Sequence, residues 1–157
     1  MSDYAIGYFI PFHRFEIHAG MDPTESCARL QTLTASKWPW FGSPRDKEFI
    51  GKVSQNAFRL LRIIKGRNTY NPWILGKCTS ASSGGSRVSG VMTLHPIAAV
   101  VMVVFFVVAV QPSMSPPQGR WIPAALLSIF HLAMCAFAFV PEVKRNEHRL
   151  RELLAAG

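Results

Sequence analysis

The sequence predicts a membrane α+β protein: a small cytoplasmic β-sheet domain with one short helix, a two-helix transmembrane hairpin, and a short C-terminal amphipathic helix. Three observations predict it. Residues 91–110 and 121–141 contain no charged side chain, and each run is as long as a helix needs to cross the roughly 30 Å hydrocarbon layer. Residues 1–90 carry 18 of the 26 charges, spread among short apolar segments broken by turn residues. Only 17% of the 157 residues are charged, against about a quarter in soluble domains.

Within 1–90 the order of elements reads as a small sheet. Residues 12–17 are a first strand. Asp22-Pro23-Thr24-Glu25 is a helix start, with Asp as the cap and Pro at the first helical position. Ala28, Leu30 and Leu33 give that helix an apolar side. Residues 37–47 form a loop, 48–53 a strand and 54–56 a turn. Residues 57–64 stay open: Ala57, Leu60, Leu61 and Ile64 have helical spacing, while the flanking turns and short length suit a strand. Residues 72–78 and 87–94 flank the Ser82–Gly85 turn as a hairpin.

The apolar runs define the second part. Helices over about 91–110 and 121–141 enclose the polar, Pro-rich loop 111–120, and 142–157 follows as a charged helix with Val143, Leu150, Leu153 and Leu154 on one side. Two uncharged runs of this length are rare in one small core, which favours a bilayer over a buried hairpin. Lys and Arg number 12 before residue 91, one in the loop (Arg120) and four after Pro141. Positive residues stay inside, so both termini are cytoplasmic and the chain is expected to be multi-pass in a bacterial inner membrane.

A resemblance rests on Phe49-x-Gly51-x-Val53, Phe58, Arg62-Ile63-Ile64-x-x-Arg67-Asn68, Pro72-x-x-x-Gly76, Gly84-Gly85-Ser86 and Leu94-His95. Over residues 48–110 the chain resembles an uncharacterised family of small bacterial two-helix membrane proteins with a cytoplasmic sheet-forming stretch, distantly similar to pleckstrin-homology-like domains. Thr69-Tyr70-Asn71 and Trp73 depart from that pattern. The resemblance implies strands before the hairpin and brings no activity.

Catalytic signatures are absent: there is no Gly-rich phosphate loop, no Cys-x-x-Cys and no His-Glu-x-x-His. Cys27, Cys78 and Cys135 are far apart in sequence, so no disulfide framework is implied. His131 is the ionisable group deep in an apolar run. One role is ligand to haem iron or a pigment's magnesium; the other is a structural histidine bonded to backbone or to Ser128. The small residues Ala124, Ala125, Ser128 and Ala136 suit close helix–helix contact. Arg59, Arg62, Lys65 and Arg67 form a basic cluster for anionic lipid headgroups or a partner's acidic face. A pI near 9.9 also fits nucleic acid, but membrane attachment makes headgroups the nearer partner.

The function expected is therefore a non-catalytic accessory or scaffold subunit of a larger bacterial membrane complex, with other integral membrane subunits as partners. His131 and the small size point to a respiratory or photosynthetic host. The alternative is a free-standing, membrane-anchored lipid- or ligand-binding sensor.

Overall fold

Alternation of buried and exposed side chains organises the first half of the chain. The computed structural model describes residues 11–36, 46–64, 70–82, 84–95, 100, 104, 107 and 121–155. In β1 (Phe12–Ala19), His13, Phe15, Ile17 and Ala19 point inward while Arg14, Glu16 and His18 point out. Asp22 then caps α1 (Pro23–Thr32), its carboxylate accepting from the N–H groups of Thr24 and Glu25 at 2.7 and 2.9 Å. A short β2 (Thr34–Ala35) follows, then β3 (Phe49–Val53), β4 (Ala57–Arg62), β5 (Trp73–Ser80) and β6 (Ser86–Thr93).

These strands form one six-stranded sheet in the order β1-β6-β5-β4-β3-β2. All neighbours are antiparallel except β2 and β3. The chain returns β6 to the sheet beside β1, so the first and last strands are hydrogen-bonded neighbours. Gly84 and Gly85 turn β5 into β6 with φ of 90° and 77°, a region that glycine enters without a side-chain clash. Gly76 is required for another reason. A Cβ at that position would collide with the Phe58 ring, so its absence lets the ring lie on the sheet.

The ambiguity over residues 57–64 resolves as strand for Ala57–Arg62. Phe58 and Leu60 are buried and Arg59 is exposed. A period of two has won over the helical spacing because β3 and β5 pair on both sides.

The C-terminal part is a helical rod: α2 (Trp121–Met134), a π-helical segment (Cys135–Phe139) and α3 (Val140–Ala155). Val140, Val143, Glu147, Leu150 and Leu154 recur at three- and four-residue intervals and are buried on the sheet. With Leu30 of α1 and the inner faces of the strands they close a single core.

This architecture corrects the sequence-based fold class. Among the described residues no helix is long and apolar enough to cross a membrane, so the two-helix transmembrane hairpin is not supported. The physical reason is that the core takes both runs at their ends. Val91, Met92 and Thr93 pair with β1 and β5 as the last residues of β6, and Leu94 is buried beside them. Beyond His95, Val100, Val104 and Val107 are the described residues of that run, each helical and exposed. In the second run the 14 residues of α2 carry exposed Leu126, Ile129 and Phe130. Beyond it Cys135, Phe139 and Val140 are buried. The multi-pass, inner-membrane placement with cytoplasmic termini rested on those spans and falls with them, as do the membrane and transmembrane-helix descriptions. The loop 111–120 lies outside the described residues.

Candidate functional site

Two surfaces on this frame have chemistry to offer, and a polar seam under α3 holds the helix to the sheet between them. The seam begins at β1, where His13 Nε2 lies 2.9 Å from Glu147 Oε2, both side chains buried. The other Glu147 oxygen accepts from Arg151 at 2.6 Å, and Arg151 also donates to the Glu16 carbonyl. Toward β4, Arg62 approaches Asn146 at 3.5 Å and Glu142 at 4.0 Å. Near β3, Arg149 grips both oxygens of Glu48, at 2.6 and 2.7 Å, in the two-pronged geometry that suits guanidinium and carboxylate. That grip holds the Glu48 carboxyl below the usual carboxylate range, against the opposing effect of partial burial. The seam spans the sheet from β1 to β3 and fixes the rod's direction.

The first surface is the apolar arm, α2. Leu126, Ile129 and Phe130 are about 60% exposed, and Phe137 of the π-helical segment is 83% exposed. Ala125, Ser128 and Ala136 are half-buried in the same rod. Ala124 lies in α2 too, its side chain outside the described set. His131 is half-buried, and its Nε2 lies 3.6 Å from Cys135 Sγ one turn on. Among the described residues no group of three or more His, Cys, Asp or Glu side chains is placed to hold a metal ion.

The second surface is the sheet face away from α1 and α3. The strand register aligns Arg14, Val91, Leu75, Arg59 and Lys52 in one row across five strands. The adjoining row runs Phe12, Thr93, Trp73, Leu61 and Ile50. Between the rows the Arg59 guanidinium sits 4.0 Å from the centre of the Trp73 ring, a cation–π contact. His95 tilts against the same side chain, ring centres 5.7 Å apart. Lys77 and Arg87 add positive charge in the next rows, where Arg87 pairs with Glu16.

The basic cluster expected from the sequence is therefore divided. Arg59 and Arg62 stand three residues apart on one strand, so they point to opposite faces. Arg59 belongs to the open face; Arg62 turns under α3. Lys65 and Arg67 lie outside the described residues. Sequence reasoning passed over Trp73 as a functional side chain, and it missed the His13–Glu147 pair. Neither has a local signal: each is created by register or by docking between residues far apart in the chain.

Fold and surfaces together define a two-layer sheet-and-helix protein with an apolar arm. No family model matches the chain, and no curated protein or solved structure matches it either.

Proposed function

We propose that the chain is a non-catalytic accessory or scaffold subunit of a larger assembly, docked through α2 against apolar helices of a partner. The carrying observation is the unequal use of one rod. Its second half is fastened to the sheet by core packing and the polar seam, while its first half extends with Leu126, Ile129, Phe130 and Phe137 exposed. A contiguous apolar patch on a rigid support is the usual mark of a protein interaction surface. The partner surface is apolar by complementarity, because α2 contains no charged side chain apart from the titratable His131. The half-buried Ala125, Ser128 and Ala136 suit close approach of a partner helix.

A second reading is favoured by one specific observation, the Arg59–Trp73 stack within a basic sheet face. There the chain is a sensor of anionic ligands such as lipid phosphates, with Arg14, Lys52 and Lys77 supplying the field.

One experiment separates them. The native chain and an Ile129→Asp/Phe130→Asp variant are purified from their own host and weighed as intact assemblies. The subunit reading expects the native chain in a defined complex and the variant released from it, with an unchanged denaturant midpoint. Recovery of both as the free chain, with Arg59-dependent binding to vesicles containing anionic lipid, would transfer the conclusion to the sensor.

A further inference from the structure

Cys27 and Cys78 are 51 residues apart in the chain, yet their Sγ atoms stand 2.7 Å from one another. Both are free and almost fully buried, at 3% and 2% exposure, within the main core. We infer that Cys27 and Cys78 form a reversible intrachain disulfide that staples α1 to β5.

The positions are held independently of the sulfurs. One residue before Cys27, Ser26 Oγ meets Ser86 Oγ of β6 at 2.6 Å. The Cys78 backbone N–H donates to the Asn56 carbonyl at 2.9 Å. Helix and strand are thus registered on both sides of the thiol pair. Reaching the disulfide bond length of about 2.05 Å needs a movement of roughly 0.7 Å. The third cysteine supplies an internal contrast: Cys135 lies on the helical rod with His131 as its polar neighbour.

The chemistry is thiol–disulfide exchange with a small disulfide oxidant such as oxidised glutathione. One cysteine thiolate attacks the oxidant and expels a glutathione thiolate. The second cysteine thiolate then attacks the protein sulfur of the mixed disulfide and expels the other glutathione. The protein loses two protons and two electrons, and the oxidant is reduced to two thiols. Burial pushes the Cys78 thiol well up, and its hydrogen bond with Cys27 pushes in the same direction. The closed protein therefore presents little thiolate, and exchange proceeds as the chain folds or when α1 lifts from β5. The same burial shields the finished bond from reductant.

The test uses the full chain, reduced and unfolded, then refolded in a glutathione buffer rich in the oxidised form. Natively purified chain is held in parallel in that buffer with sub-denaturing urea. Remaining thiols are alkylated and the digest is mapped by mass. The expected product carries a Cys27–Cys78 cross-linked peptide and one alkylated thiol, at Cys135. Oxidation should lower the unfolding equilibrium constant by roughly 30- to 700-fold relative to the reduced chain, the range typical of disulfides. A Cys27→Ser/Cys78→Ser variant should be indifferent to reductant. Three alkylated thiols in both preparations, separate glutathione adducts on Cys27 and Cys78, or a cross-link through Cys135 would overturn the inference.

Discussion

The two halves of the C-terminal rod invert the usual relation between composition and burial. Trp121–Met134 is almost wholly apolar, yet Leu126, Ile129 and Phe130 are exposed. Val140–Ala155 is rich in charge, yet Val143, Leu150 and Leu154 are at most 1% exposed. Composition therefore does not decide which half reaches the core. The second half has a narrow apolar stripe that fits the sheet, with charged groups at its edges that find Glu48, Arg62 and His13. The first half has only Ser128 and His131 as polar side chains besides its terminal Trp, and no charged edge to fix it against one neighbour. Specific docking needs contrast around the helix, and only α3 supplies it.

Truncation on the two halves gives the largest expected contrast. Leu150→Ala should cost about 2–5 kcal/mol, the range for emptying a packed site. Leu126→Ala should stay within about 0.5 kcal/mol, as exposed substitutions do. Urea titration of both variants measures the difference. A Leu126 cost approaching that of Leu150 would mean that α2 is packed within this chain, and the contrast would be lost.

A smaller effect comes from the seam. Glu147→Gln removes the carboxylate that His13 and Arg151 share and should cost about 1–3 kcal/mol through unsatisfied buried groups. A cycle with His13→Ala isolates their coupling. Full additivity would show that the polar contact adds nothing to apolar docking of α3.

The smallest effect is a dependence on pH at the far end of the same helix. Arg149 depresses the Glu48 carboxyl, so the folded protein holds this proton less tightly than the unfolded chain. The stabilisation is present above the ordinary carboxylate value of about 4.3 and is lost as acidification passes through the lower folded value. Arg149 is 41% exposed, so solvent screening limits the pair to about 0.5–1 kcal/mol. Stability measured between neutral and acid pH should flatten in Glu48→Gln over that window. An unchanged acid slope would assign the loss to other carboxylates.

Much of the sheet was legible because its signals are local. The cap at Asp22 is a matter of four adjacent residues, and the β5–β6 turn announces itself by Gly84-Gly85. The alternation in β1 follows from hydrophobicity at every second position. The membrane hairpin was misread because hydropathy counts apolar length without knowing which residues are already engaged. Val91–Thr93 look like the start of a span, but their backbones pair with β1 and β5 on both sides. Phe139 and Val140 look like the end of one, yet they belong to the sheet-facing core.

The sequence by itself located β1, β3, β5 and β6 and the turns after β3 and β5, which side of α3 is apolar, and that the chain is basic; these depend on neighbours within a few residues, whereas the two-residue β2 gave no such signal. It left residues 57–64 balanced between helix and strand, because both periods fit a segment that short. Tertiary structure decided that balance by offering β3 and β5 as partners. It also separated Arg59 from Arg62, set Arg59 on Trp73, joined His13 to Glu147 and brought Cys27 against Cys78. The reason is the same in each case: strand register and helix docking are long-range choices, set by the best burial for the whole core, and no local pattern encodes which distant residue will stand opposite.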